Sequence, residues 1–478
     1  MSIKRYVATK DTTITNAYKD GLKARATDAN MGASDSLELF SLYGRASEFE
    51  SEKSRILIYF PIEPIQRDRN EFSIGNSGSC QFILKLSNVA HKESVPSKFT
   101  LSVNPISGSW DEGIGLDMES YKDKDFVNWI YRSHDKKWTK EGGDFYSFPQ
   151  FDKYFENGVE DLEIDITYLV EQWLEGTLPN NGLLIRMSDS IEDGTLNYYT
   201  KKFSSRTSEY FFKVPWIECR TDSSIKDDRA NFYTYNKFVS LEENYNTIYM
   251  YNRFKGKLYD FPEIGTGSIY VALYKSITTP LPTPLIQITG STQSPVSILY
   301  SVGTHVSTGI YKCDVCVNTD EKLIYDVWYN EDRTFAAVGG TIYPRDPEGE
   351  TGNVEEQFLY NIKNLKSRYS TKDQATFQVF SRNVGWNPNS YTSIQSQNNL
   401  NFPDNLYYKV FRIVDNYEVI PYGTGSYNHT RLSTDKDGCY FDLDMSLFEP
   451  GYSYGIKFIS VDRNKYVESK EEFKFRVE

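Results

Sequence analysis

Apolar residues at Ile166, Leu169, Val170, Trp173 and Leu174 recur at i, i+3, i+4, i+7 and i+8, one face of a helix. Asp165 stands where an N-cap accepts the first free N–H groups, and Gly176 where a left-handed residue ends the helix. Glu171 falls on the opposite face. Pro179-Asn180-Asn181-Gly182 then reads as a turn, and Leu183-Leu184-Ile185 as a buried strand. Elsewhere the period is two. "SLELFSLY", "SRILIYFP", "CQFILKLSNV" and "KFTLSVNPI" are short strand signals separated by turns rich in Gly, Asn and Ser, the spacing of an all-β sandwich. A single two- to three-turn helix in such a chain can cap the open end of the sandwich.

The pattern changes after about residue 220. "RTDSSIKDDRANF" is polar and charged and reads as a linker or domain edge. "NTIYMYNRFKGKLYDF", "GSIYVALYKS", "GIYKCDVCVNTD" and "KLIYDVWYN" supply strands for a small immunoglobulin-like sandwich over 221–345. The three prolines of "TTPLPTPLIQI" make that stretch an edge or loop. "YPRDPEGETGNVEE" carries Pro, Gly and acids with no apolar period, so 346–356 reads as a linker. Further strands, among them "NLYYKVFRIVDNYEVIPYG" and "SYGIKFISVD", make 357–478 a second sandwich of that kind. The expected fold is therefore all-β: an N-terminal β-sandwich over 1–220 with one short capping helix, followed by immunoglobulin-like sandwiches.

A net charge of −13 argues against a nucleic-acid backbone or an anionic membrane surface as partner. No apolar run reaches the length of a membrane helix, and the basic N-terminus lacks the apolar core of a signal peptide. Five scattered cysteines (Cys80, Cys219, Cys313, Cys316 and Cys439) fit a chain made in a reducing cytoplasm, not a disulfide framework.

The first 220 residues hold seven pieces in order. These are "DTTI", "NMGASDSLEL", "SRILIYF", "SGSWDEG" with Trp110 and Glu112, "KKWTKEGGDF", the helix-turn-strand stretch with Trp173 and Gly182, and "KKFSSR" followed by Pro215 and Ile217. Together they resemble the DNRLRE family of β-sandwich domains, which look like carbohydrate-binding modules; the resemblance implies a jelly-roll-like sandwich over 1–220, one end of which the helix plugs with Trp173 in its core. The chain departs from that family by lengthening the Trp110–Trp138 region. Its whole layout resembles virion structural proteins of large tailed bacteriophages. That resemblance implies a non-enzymatic virion component whose partners are other virion proteins, with self-association and glycans as further partners. The alternative it implies is an adhesin or fibre module that binds host glycans.

Candidate chemistry is sparse. None of the histidines sits in a metal-binding pattern, and Cys313 and Cys316 lie on a strand with no second pair to complete a zinc site. Acidic pairs abound, but no pattern singles one out for catalysis, and no cofactor is expected. Asp435, Asp437 and Asp444 fall near calcium-loop offsets, the competing reading being an Asp-Gly hairpin turn. Trp129, Trp138 and Trp386 are the candidates to stack on sugar rings, although a buried tryptophan is the commoner fate.

Overall fold

The computed structural model describes residues 3–45, 50–71, 73–90, 96–120, 122–123, 125–195, 198–255, 257–346, 358–384, 403, 405–435, 437–462 and 465–478. The chain divides into two compact units, Met1–Asp222 and Ser223–Glu478. Both are rich in β-structure arranged as curled sheets of the β-sandwich type. Of the expected 346–356 linker only Asp346 is described, and Trp386 lies outside the described residues.

In the first unit, one sheet has the order Ile3–Val7, Trp216–Thr221, Cys80–Leu86, Leu162–Asp165. The other runs Phe151–Phe155, Phe99–Pro105, Leu183–Met187, Ser51–Tyr59, Ser36–Tyr43, Tyr198–Ser204, with Lys10–Thr15 also paired to Ser51–Tyr59. Ile56, Ile58, Leu183 and Ile185 from the larger sheet meet Phe82, Leu84 and Ile217 from the smaller one in a single core.

The helix exists because the chain must change sheets. It spans Thr167–Glu175, leaving the edge strand Leu162–Asp165 of one sheet and leading to Leu183–Met187 in the middle of the other. Asp165 Oδ1 accepts from the Thr167 N–H at 2.9 Å, and Thr167 Oγ1 accepts from the Phe82 N–H at 2.9 Å, which fixes the helix start to the sheet. Gly176 ends the helix at φ 73°, where a side chain would be strained. Trp173 is buried in the core with Leu169 and Val170. Gly182, at φ 93°, lies so close to the Ile58 carbonyl that a Cβ would collide with it.

Two corrections concern this end of the unit. A second helix, Glu63–Asn70, makes the reverse crossing from Ser51–Tyr59 to Cys80–Leu86, so the capping helix is not single. Glu171 is not on a solvated face: it is buried, and Arg69 of the other helix donates to both its oxygens, at 2.5 and 2.8 Å. A bidentate pair of this kind locks the two crossings together. Glu171→Ala is therefore expected to cost about 2–4 kcal/mol, because it strands a mostly buried guanidinium. Denaturant unfolding of the first unit measures it.

The second unit holds a six-stranded sheet in the order Asn246–Tyr251, Ile310–Val315, Ser301–Ser307, Ile269–Tyr274, Ile324–Tyr329, Ala336–Ile342. It curls around its core, with Ile248, Tyr311 and Cys313 from one side meeting Val271, Leu273 and Trp328 from the other. The polar stretch 220–232, expected as a linker or domain edge, holds the division between the units, and its later part closes the curl. Its Asp228 carboxylate accepts from the Thr247 N–H at 2.7 Å, Asn246 Nδ2 donates to the Tyr233 carbonyl at 2.9 Å, and the Arg345 N–H donates to the Phe232 carbonyl at 2.9 Å. The same strap reaches the C-terminal strands, where Thr434 N–H donates to the Ile225 carbonyl at 2.8 Å and Asp227 N–H to the Thr434 carbonyl at 3.2 Å. There a four-stranded and a six-stranded sheet face each other across an aromatic core, with Tyr408 and Phe441 stacked at 4.3 Å.

The strap carries a buried ion triad. Arg229 pairs with Asp227 and, at 2.7 Å, with Asp326, whose Oδ2 also accepts from Trp328 Nε1 at 2.5 Å. Burial lifts the Asp227 carboxyl from 3.8 to about 6, against the pull of the Arg229 cation and with Asp326 and Asp228 adding to the rise. A raised folded-state pKa means the folded chain takes up this proton more readily than the unfolded chain. Asp227 therefore contributes most to stability below about pH 4, and the contribution falls away as pH rises through about 6. Asp227→Asn is expected to flatten that part of the stability–pH curve of the second unit.

Candidate functional site

The tryptophans proposed for sugar stacking are part of a second core. Along Ser51–Tyr59 and Leu183–Met187, Ile56, Ile58, Leu183 and Ile185 face the main core, while Leu57 and Leu184 face the other way. The long 106–146 excursion folds over that outer face. It brings Ile106, Trp110, Val127, Trp129 and Trp138 onto Leu57, Leu184 and Ile14. Trp129 and Trp138 are 6 % and 5 % exposed, so neither offers a ring face to a ligand. Both are engaged internally: Trp138 Nε1 donates to the Asn128 carbonyl at 3.0 Å, and Arg55 lies 5.5 Å over the Trp129 ring. Arg55 in turn pairs bidentately with the buried Glu192, at 3.1 and 2.6 Å.

The motif residues that carry the family resemblance converge on one polar network beside this core. Arg206 donates to both Glu112 oxygens at 2.8 and 2.6 Å, and its N–H donates to the Asp11 carboxylate at 2.6 Å. The Asp11 N–H donates to Glu112 Oε1 at 2.6 Å. Asn30 Nδ2 donates to the carbonyls of Glu112 and Val127, at 2.7 and 2.8 Å, and its Oδ1 accepts from the Gly115 N–H at 2.9 Å. Trp110 Nε1 donates to the Asn181 carbonyl at 3.0 Å, tying in the turn that holds Gly182. Burial raises the Asp11 carboxyl to about 7, opposed by the Arg206 contacts and reinforced by Glu112. The Asp11 and Glu112 carboxylates accept from the protein's own donors, and the network holds together segments at residues 11, 30, 110–115, 127, 181 and 206.

The acidic loop does not assemble. Ser433–Asp435 and Gly438–Asp444 form a hairpin in which Asp435 pairs with Gly438, and the Asp437 N–H donates to Asp435 Oδ1 at 2.8 Å. Asp444 lies at the far end of the second strand, about 20 Å along it. There it accepts from the Ser446 N–H at 2.9 Å, capping a short helical turn. Among the described residues no three His, Cys, Asp or Glu side chains are grouped to hold a metal. All five cysteines are buried thiols; burial pushes Cys316 up to about 11, and Cys313 higher. No helix among the described residues is long and apolar enough to cross a membrane.

Two exposed features escaped the motif search. Phe148 and Tyr168 are 71 % and 50 % exposed, with ring centroids 5.8 Å apart, beside the Phe151–Phe155 edge strand and the start of the Thr167–Glu175 helix. The second is larger. Between Lys275 and Lys312 there is no Asp, Glu, Lys or Arg, in a chain that is 25 % charged. This stretch supplies the Gln287–Ser291/Ser294–Ile298 hairpin and the strand Ser301–Ser307. Ile286, Val296, Val302 and Val306 on it are all at least half exposed. The charge gap is plain in the sequence, but a search for acids, histidines and tryptophans passes over it. An open groove of about 680 Å³, lined by Lys275, Thr283, Leu285, Asp320 and Glu321 among others, adjoins its start.

Scans of family models and of curated proteins give no match to this chain.

Proposed function

We propose that this chain is a non-enzymatic structural component of a tailed-phage virion, assembling through its β-sandwich surfaces. In this reading the first unit is a DNRLRE-like, jelly-roll-like sandwich, and residues 221–345 and the C-terminal pair of sheets are each immunoglobulin-like. The virion assignment is supported by the resemblance of layout and motifs. The assembly role is supported by the uncharged, apolar exposure between Lys275 and Lys312, since contiguous apolar surface of that kind marks docking sites. Mass spectrometry of purified particles tests the assignment.

A second reading, a glycan-binding adhesin, is favoured by Phe148 and Tyr168, which present open ring faces as Trp129 and Trp138 do not. On that reading the full chain binds a host polysaccharide. Phe148→Ala then weakens binding about tenfold with no change in melting temperature. Glycan arrays blank for the full chain would remove this reading.

A further inference from the structure

We propose that Lys201 and Asn88 are the two halves of a covalent cross-link: an amide bond from Lys201 Nζ to Asn88 Cγ, formed with loss of ammonia, with Glu160 carrying the proton. The inference goes beyond the virion reading and does not rest on it. The link would join the two sheets of the first unit. Lys201 is fully buried in the Tyr198–Ser204 strand, opposite Leu39 at the edge of the larger sheet. Asn88 lies just beyond the Cys80–Leu86 strand of the smaller sheet. There the chain runs beside the lysine strand: the Ser204 N–H donates to the Ser87 carbonyl at 3.0 Å, and the Val89 N–H to the Lys202 carbonyl at 3.1 Å. Lys201 Nζ lies 2.7 Å from Asn88 Oδ1. It also donates to the Gly158 and Glu160 carbonyls at 2.9 and 2.7 Å, which hold the nitrogen in place. The Asp161 carboxylate, accepting from the Asn88 N–H at 2.7 Å, holds the asparagine.

The surroundings supply what the reaction needs. Phe155 and Phe203, both in the apolar core, flank Nζ at 4.9 and 5.1 Å from their ring centroids. Burial pulls the lysine down from 10.5 to about 8, against the Glu160 and Asp161 carboxylates, so a share of it is free amine near neutral pH. The amine is the nucleophilic form. Attack needs the nitrogen about 3–3.5 Å from the amide carbon, and an amine already bonded to the amide oxygen is a small rotation from that position. Glu160 Oε1 accepts from the Glu156 and Asn157 N–H groups at 3.0 and 2.7 Å. Its Oε2 is buried and has no hydrogen-bond partner among the described residues, which leaves it open to a proton. In the step, the Lys201 amine attacks Asn88 Cγ and the carbonyl electron pair moves onto Oδ1. Glu160 takes one proton from the attached nitrogen and gives it to Nδ2. The Cγ–Nδ2 bond then breaks, ammonia leaves with the electron pair, and the carbonyl re-forms. No oxidant or further reactant is required.

Mass spectrometry of the purified full chain, intact and after trypsin, tests this without any variant. The chain should weigh less than its sequence requires by one ammonia. Trypsin should fail to cut after Lys201, and a branched peptide should join the segments that hold Asn88 and Lys201. Incubation above the lysine's own value of about 8, where the amine predominates, should bring the linking to completion. Glu160→Gln keeps Oε1 as the acceptor for the two turn N–H groups, so it should fold with the circular dichroism of the wild type. It should link at least about a hundredfold more slowly, the usual worth of a positioned proton carrier. It should also melt at a lower temperature, because the cross-link that restrains the unfolded chain is missing. Complete cleavage after Lys201 with Asn88 recovered unchanged, or recovered as aspartate without a branch, would overturn the proposal. So would a Glu160→Gln chain that links as fast as the wild type. None of these results depends on whether the chain occurs in particles.

Discussion

Replacing Arg229 with alanine is expected to destabilise the second unit by about 3–5 kcal/mol, the cost of leaving buried carboxylates without their cation. Asp227 and Asp326 are 3 % and 0 % exposed, so water cannot take over from the guanidinium. The effect should exceed what one ion pair implies, because the strap bearing Arg229 bonds to the edge strand Asn246–Tyr251, to Arg345 just past the other edge strand and to the C-terminal strands. Losing it loosens two sets of sheets at once. Unfolding should show the transition of the second unit moving and that of the first unit staying in place. Adding Asp227→Asn to the variant should recover part of the loss by removing one uncompensated charge. Equal movement of both transitions, or no recovery, would contradict this account of the strap.

Trp173→Ala is the counterpart in the first unit, with an expected loss of about 3–5 kcal/mol for emptying a buried aromatic site. Trp173 packs where the Thr167–Glu175 helix crosses between the sheets, in the same core as Phe82 and Ile185. Glu175, exposed on the same helix, is the matched control, and Glu175→Ala should change stability by less than about 0.5 kcal/mol. Glu171 cannot serve as that control, because its carboxylate holds Arg69 of the neighbouring helix. Equal shifts for Trp173→Ala and Glu175→Ala would remove the helix from the core.

The contrast between Trp173 and Glu171 shows how far the sequence could be read. The apolar spacing of the Thr167–Glu175 helix and the turn at Gly182 were legible because local chemistry fixes them. The Glu63–Asn70 helix was not, because it buries only Ile65 and Asp68 and so carries no apolar stripe. The uninterrupted run Leu183-Leu184-Ile185 announced burial on both faces of the strand, but not what covers the outer one. That cover comes from Trp110, Trp129 and Trp138 on a distant excursion, and nothing local distinguishes a tryptophan that closes a core from one that meets a sugar. The polar stretch 220–232 reads as a linker or domain edge, and the division between the units does fall there, but polarity alone does not show that its later part is a strap. Its polar groups are spent on backbone and ion-pair contacts that only the folded sheets supply. The acidic positions Asp435 and Asp444 matched a loop spacing that a seven-residue strand pulls apart.

These contacts also relocate the useful truncation. Cutting near 346–356 would separate the C-terminal strands from the strap that bonds to them at Thr434, leaving both pieces incomplete. Cutting between Asp222 and Ser223 follows the division between compact units. Each half made that way is expected to fold, and comparing their incorporation into particles identifies which unit anchors the chain.

Quantitative mass spectrometry of particles purified by density gradient and washed at high salt bears most directly on the assignment as a virion component. The account predicts peptides from across these 478 residues at a fixed, reproducible ratio to the major capsid protein, retained through the wash. Its absence from such particles, or a ratio that falls away with washing, would contradict it.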